Sequence, residues 1–172
     1  MTKLVVLSDT HGDREWLNRI YERHATEADG WFHCGDSELN GNDPLVQPFR
    51  IVNGNTDIDM PFQDVLETTV QGVKIWQTHG HLLRVTRGNH EALHSIAKEK
   101  GAHVVLYGHT HVAEAHEHEG ALFLNPGSLV QPRTDRPPTY SIVTIAEGQV
   151  TSIRFLERDS GKEIEDLTWQ AK

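Results

Sequence analysis

Leu4-Val5-Val6-Leu7-Ser8-Asp9-Thr10-His11 decides how this chain is read, because an apolar run of strand length ends in two metal-ligand side chains at positions i and i+2. The pattern returns far down the chain in Val104-Val105-Leu106-Tyr107-Gly108-His109-Thr110-His111. A continuous apolar run marks a central strand covered on both faces. Side chains alternate along a strand, so residues i and i+2 are expected to reach the same side and grip one ion or two adjacent ions. In open α/β sheets, sites gather at the carboxyl ends of strands, where both pairs stand. The chain reads as an α/β metal enzyme.

With 172 residues, the chain is expected to form one domain over 1–172 and to bury roughly 70% of its unfolded surface. No apolar stretch approaches the roughly 18 residues of a membrane span. Met1-Thr2-Lys3 leads straight into a strand rather than a signal sequence, so a cytoplasmic protein is expected. Cys34 is the only cysteine, so an internal disulfide and a thiolate zinc site are excluded, and its neighbours make it a buried strand residue. Sixteen basic residues against 25 acidic ones give a net charge of −9, which argues against general nucleic-acid binding. Among 12 histidines, His116 and His118, interleaved with Glu114, Glu117 and Glu119, read as a solvated face.

Periodicity orders the elements. After the first strand, Asp13 is the expected N-cap of a helix with Trp16, Leu17, Ile20, Tyr21 and His24 at helical spacing. Trp31–Cys34 and Phe49–Val52 follow as strands, then a hairpin through Gln71-Gly72 whose second arm enters Thr78-His79-Gly80-His81. A helix is predicted over His90–Lys100, with Leu93, Ile96 and Ala97 inward and Gly101 as C-cap. Leu122–Leu124, Thr139–Ile145 and Val150–Leu156 read as antiparallel strands. Residues 157–172 read as a polar, partly ordered tail.

In chain order the strand-end signals are Asp9-Thr10-His11, Gly35-Asp36, Gly54-Asn55-Thr56-Asp57, Thr78-His79-Gly80-His81 and Gly108-His109-Thr110-His111, followed by Asn125-Pro126-Gly127-Ser128. Each alone is weak; the ordered set is specific. From Leu4 to about Phe155 it resembles the calcineurin-like metallophosphoesterase superfamily, and within it the small YfcE-like phosphodiesterases. The resemblance implies a four-layer α/β/β/α sandwich and two divalent metal ions per chain. Asp9, His11 and His111 would hold the first ion and Asn55, His79 and His109 the second, with Asp36 as the bridge. Mixed carboxylate, imidazole and amide donors suit manganese first, with iron, zinc or nickel as alternatives. The implied activity is hydrolysis of small phosphate diesters by a water that the two ions acidify. A catalytically weak interaction scaffold of the same fold and a phosphomonoesterase are the competing readings.

Gly88-Asn89-His90-Glu91 imitates the motif with which larger family members present a catalytic histidine. It is out of order and follows no apolar strand, so Asn89 reads as a helix N-cap. In the true third motif the histidine's position holds Thr56, which is not an acid of useful strength near neutral pH. His81, on the neighbouring loop, could substitute as the acid or could face solvent, and Ser128 and Arg133 could face the pocket and contact phosphate, or be a turn residue and a solvated arginine. The expected partner is a small phosphate ester, and the broad sheet edges suit a homo-oligomer, dimeric or tetrameric.

Overall fold

Alternation along the first strand sets the layers. The computed structural model describes all residues, 1–172, and its first strand is β1 (Thr2–Leu7). Leu4 and Val6 join one buried cluster and Val5 and Leu7 another, so β1 is covered on both faces. The elements that follow are α1 (Arg14–His24), β2 (Gly30–His33), β3 (Arg50–Ile51), β4 (Val65–Val70), β5 (Val73–Thr78), α2 (Glu91–Lys100) and β6 (Val104–Leu106). The chain continues through β7 (Ala113–His118), β8 (Ala121–Pro126), β9 (Thr139–Ala146), β10 (Gln149–Glu157) and β11 (Trp169–Gln170).

Two mixed sheets result, ordered β11-β10-β9-β1-β2-β3 and β4-β5-β6-β8-β7. Between them lies a core drawn from both, including Leu4, Val6, Phe32, Val143, Ile153 and Phe155 against Val73, Ile75, Val104, Leu106, Leu122 and Leu124. Leu17 and Ile20 of α1 cover the outer face of the first sheet, and Leu93 and Ala97 of α2 that of the second. This is the α/β/β/α sandwich that the sequence predicts. No helix is long and apolar enough to cross a membrane.

Local expectations hold with adjustments. Asp13 caps α1, its side chain accepting from Trp16 N at 3.0 Å. At α2 the N-cap is His90, not Asn89. Asn89 is engaged in a tight turn with Thr86, and its side chain makes only a 3.4 Å bond to Glu91 N. β8 is antiparallel to β7 but parallel to β6, so it is not purely antiparallel.

Two segments differ more. The stretch holding His116 and His118, read as a solvated face, lies in β7 at the edge of the second sheet; Ala113 and Ala115 pack on the inter-sheet core, Glu114 and His116 are half-buried on the opposite face, and Glu117 and His118 are exposed as expected. Small alanines carry the inward face, so no large apolar residue announces the strand. Residues 157–172, read as a partly ordered tail, are tied down: Leu156 bridges Glu163, β11 pairs with β10, and Ile164, Leu167 and Trp169 pack on the inter-sheet core.

Candidate metal centre

The ligand-type side chains do not lie on strands. β1 ends at Leu7 and β6 at Leu106, and the residues beyond them turn into the left-handed region: Asp9 (φ 55°), His11 (43°), Asp36 (57°), His109 (70°) and His111 (60°). Strand alternation is therefore not what brings Asp9 and His11 together, nor what places His109 and His111. The loops are held by backbone bonds between them, Asp9 N to Gly35 O at 3.0 Å and His11 N to Asp36 O at 2.9 Å. Asp and His are among the non-glycine residues that tolerate this conformation best.

All seven residues predicted as ligands meet at one place. Asp9 is fully buried; its Oδ2 accepts from Ser8 Oγ at 2.6 Å and His109 N at 3.1 Å, whereas Oδ1 has no hydrogen-bond partner. That orphan oxygen lies 3.0 Å from His111 Nε2, 3.8 Å from His79 Nε2 and 3.9 Å from His11 Nε2. His79 Nε2 also stands 3.2 Å from Asp36 Oδ2 and 3.1 Å from Asn55 Oδ1. His109 Nδ1 reaches the same Asn55 Oδ1 at 3.1 Å.

The partners of the opposite ring nitrogens assign the tautomers. His111 Nδ1 faces the Gln131 carbonyl at 2.7 Å, His79 Nδ1 the Cys34 carbonyl at 2.7 Å, and His11 Nδ1 the Glu38 carboxylate at 2.7 Å. Each of these nitrogens must carry the proton, so each Nε2 presents a lone pair inward. Lone pairs of His11, His111 and Asp9 Oδ1 thus converge, as do those of His79, Asp36 Oδ2 and Asp9 Oδ1, with the donor atoms of each trio within 4.8 Å of one another. Acceptors aimed at acceptors repel unless a cation lies between them, so this donor set fits a divalent metal. Orienting a ligand imidazole through its other nitrogen is the usual outer-shell arrangement.

In the metal-free protein a proton supplies part of that charge. Burial acts to lower the His79 pKa, but the Asp36 and Asp9 carboxylates outweigh it and raise it. Burial acts to raise the Asp36 carboxyl, yet His79 and the amide of Thr56, whose N donates to Oδ1 at 2.9 Å, hold it well below the usual carboxylate range. The sequence expectation made Asp36 the link between both halves. In the geometry Asp9 belongs to both trios as well, and Asp36 to the second.

Several positioning residues escaped the sequence reading. Asp57 accepts from Asp36 N, Gly54 N and Glu38 N, each at 2.8 Å, and so pins two ligand loops to each other. Its signal was present in Gly54-Asn55-Thr56-Asp57. Glu38, by contrast, had no signal. Asn125 fixes the His109 loop through Gly108 O and Thr110 Oγ1, both at 2.9 Å. Ser128, expected to be able to face phosphate, is fully buried and donates to Asp9 O at 2.8 Å; it shapes the loop instead. Arg133 is exposed, its N on His111 O at 3.3 Å, and remains free to meet an anion. Gly54 and Gly108 let neighbouring side chains approach closely: an added Cβ would lie 2.0 Å from Asp36 Oδ1 at Gly54, and 2.2 Å from Ser8 Oγ and 2.6 Å from Asp9 Oδ2 at Gly108.

His33 was also missed. Fully buried, it takes Gly35 N on Nδ1 at 3.1 Å and so donates from Nε2 to Thr10 Oγ1 at 2.9 Å, joining two ligand loops as a neutral ring. Burial lowers its pKa to about 4. The unfolded chain takes up the proton near pH 6.5 and the folded chain does not, so stability from this group is full above that pH and falls as pH drops toward 4. Metal-free protein is expected to lose about 2 kcal/mol between pH 7 and 5 through His33. Urea unfolding at both pH values checks this, and His33→Gln should flatten the difference.

Comparison with known proteins gives the family and the fold. A family model described as the calcineurin-like phosphoesterase superfamily domain matches residues 2–148. A Bacillus subtilis protein named as a probable metallophosphoesterase, YsnB, is 40% identical over 167 residues, 95% of each chain. A Streptococcus pneumoniae crystal structure described as a predicted phosphoesterase superposes with a TM-score of 0.91 at 37% identity, covering 99% of this chain and 97% of that one. The Escherichia coli phosphoesterase YfcE shares the fold at a TM-score of 0.72 and 20% identity, covering 99% and 100%.

Proposed function

The chain belongs to the calcineurin-like phosphoesterase superfamily and is a phosphoric ester hydrolase; on that premise we propose that it hydrolyses small phosphate diesters with two divalent ions, manganese first among them. The observation that supports this reading is the convergence of ligand atoms in two adjacent trios, with Asp9 in both and its Oδ1 buried without a hydrogen-bond partner. Asp9, His11 and His111 would hold one ion, and Asn55, His79 and His109 the other, with Asp36 between them. When bound, such a pair lowers the pKa of water and neutralises phosphate oxygens. Gln131 O, Cys34 O and Glu38 fix the ligand rings so that the ligands need little reorganisation on loading. A purely scaffolding role would give no reason for that fixation.

Protonation of the departing oxygen is where this chain lacks a group. Thr56 Oγ1 is buried without a partner, and a hydroxyl is no general acid near neutral pH. Rates across substituted phenyl diesters are therefore expected to fall steeply as the phenol becomes less acidic, since a general acid typically contributes about 10²–10⁴-fold. His81 is the alternative acid: its Nδ1 is buried and unpartnered, with its ring 5.4 Å from that of His79. A shallow dependence that becomes steep in His81→Gln would assign it the role.

The experiment that tests the whole reading is a panel of phosphate mono- and diesters with metal-stripped protein reloaded in turn with manganese, iron, zinc and nickel. Diesters should be cleaved well ahead of monoesters, with manganese the best activator. A preference for monoesters, or no turnover with any metal, overturns it.

A further inference from the structure

Histidine gathers a second time, where α2 meets the edge strand β7. His90, the N-cap, and His94 and Lys98 stand four residues apart along one face of α2, while Glu114, His116 and His118 share one face of β7. None of them belongs to the metal centre. The two rows meet through imidazoles. His94 Nε2 and His116 Nε2 approach to 2.9 Å, and the His90 ring lies 4.9 Å from that of His116. His118 stacks on His94 at a centroid separation of 3.9 Å and an interplanar angle of 5°. Phe123 of β8 backs both His94 and His116, at 4.8 and 4.9 Å.

We propose that these four histidines form an acid-sensitive latch, which holds α2 on β7 while the rings are neutral and frees the helix as they take up protons. Hydrogen bonding supplies the first reason. At 2.9 Å one facing nitrogen of the His94–His116 pair donates and the other accepts, and a doubly protonated pair has no lone pair left to accept. Stacking supplies the second, since protons on both His94 and His118 would lay two cations face to face at 3.9 Å. The surrounding charge does not offset this. Facing the seam are Glu91 and Lys98 from α2, Glu114 from β7, Glu119 from the turn after it and Tyr107 beyond β6, while β8 supplies only Phe123. Lys98 lies 3.9 Å from Glu119, and Glu114 Oε1 accepts from both His90 Nε2 and Tyr107 OH at 2.6 Å. No carboxylate is in ion-pair contact with His94, His116 or His118. Full protonation would set five positive charges, Lys98 included, against the carboxylates of Glu91, Glu114 and Glu119.

Protons have a way in, because an open polar groove bordered by His90, His94, Lys98, His118 and Glu119 runs along the seam. Burial first, then neighbouring imidazoles, lowers the His116 pKa to about 4 and lowers that of His94 as well. A freed ring takes its proton near pH 6.5, so the latch is at full strength above that pH and weakens as pH falls toward 4. Release reaches beyond the helix. Tyr107 stands two residues before His109, and its hydroxyl rests on the same Glu114 carboxylate that holds His90 at the start of α2.

The test is amide hydrogen exchange, read residue by residue in metal-stripped full-length protein at pH 7 and pH 5 and corrected for intrinsic rates. Leu93 and Ala97 report α2, and the similarly buried Leu17 and Ile20 report α1. Protection at Leu93 and Ala97 should fall by about 20-fold or more between the two pH values, the factor that one ring with a pKa moved from 6.5 to about 4 supplies. Protection at Leu17 and Ile20 should fall less, and its fall measures acid destabilisation of the whole fold, His33 included. In H94Q/H116Q the two helices should fall alike. The wild-type comparison stands without any variant: equal falls in α1 and α2 overturn the latch. So does an excess fall in α2 that survives in a folded H94Q/H116Q protein.

Discussion

Asp36→Asn is expected to lower diester hydrolysis at saturating manganese by more than the roughly 10–100-fold that loss of an outer-shell partner costs, and to remove one ion per chain. Asparagine keeps the shape, and its Oδ1 can still accept from Thr56 N, so the Asn55 loop stays in place. What disappears is the negative charge 3.2 Å from His79 Nε2. His79 is then left with Asn55 and the more distant Asp9 as oxygen neighbours, too little charge to hold a divalent ion against water. Metal analysis and kcat/KM on the same preparation give the answer. Unchanged metal content and turnover would take Asp36 out of the ligand set.

Gly54→Ala should be as damaging to activity although no ligand is touched. The new methyl would stand 2.0 Å from Asp36 Oδ1, on the side chain, and 2.5 Å from Asp36 N, on a backbone that Asp57 locks. Relief requires the 36 and 54 loops to part, which breaks the hydrogen bonds from Asp36 N and Glu38 N to Asp57 and unseats Asn55 and Asp36 together. The expected destabilisation is about 3 kcal/mol or more, at the upper end of overpacking, with loss of bound metal. Thermal unfolding with and without manganese measures both parts. Gly12→Ala is the control: it also sits in a ligand loop, yet an added Cβ there meets nothing within 4 Å. It bears only the cost of its own positive φ.

The four layers were legible because the residues that build them are large and periodic. Leu4 to Leu7 and Val104 to Leu106 announce doubly covered strands, and Leu93 and Ala97 a buried helix face. β7 was not legible, since Ala113 and Ala115 bury little area apiece, and of the polar side chains opposite them Glu114 and His116 are half-buried whereas His118 is exposed, as it was read. The seven convergent residues could be found by motif order. The roles of their supports could not: Glu38 and His33 act through hydrogen bonds across the fold that leave no period in the sequence, and Asn125, although it stands in a quoted motif, acts the same way. The spacing of Asp9 and His11 was read correctly as a pair for the wrong reason, because a left-handed loop rather than a pleated strand brings them together.

That left-handed geometry sets a bias on any mutational survey of the site. At positions 9, 11, 36, 109 and 111 a side chain satisfies two demands at once, one electronic and one conformational. Alanine meets neither, because its own left-handed conformation costs roughly 1–2 kcal/mol before any lost coordination is counted. Alanine scanning would inflate the apparent worth of these five side chains relative to Asn55 and His79, which lie in ordinary backbone. Asparagine, tolerant of the same backbone, is the fair reference replacement at the five, and a saturation library should rank valine and isoleucine below it there for reasons unrelated to metal.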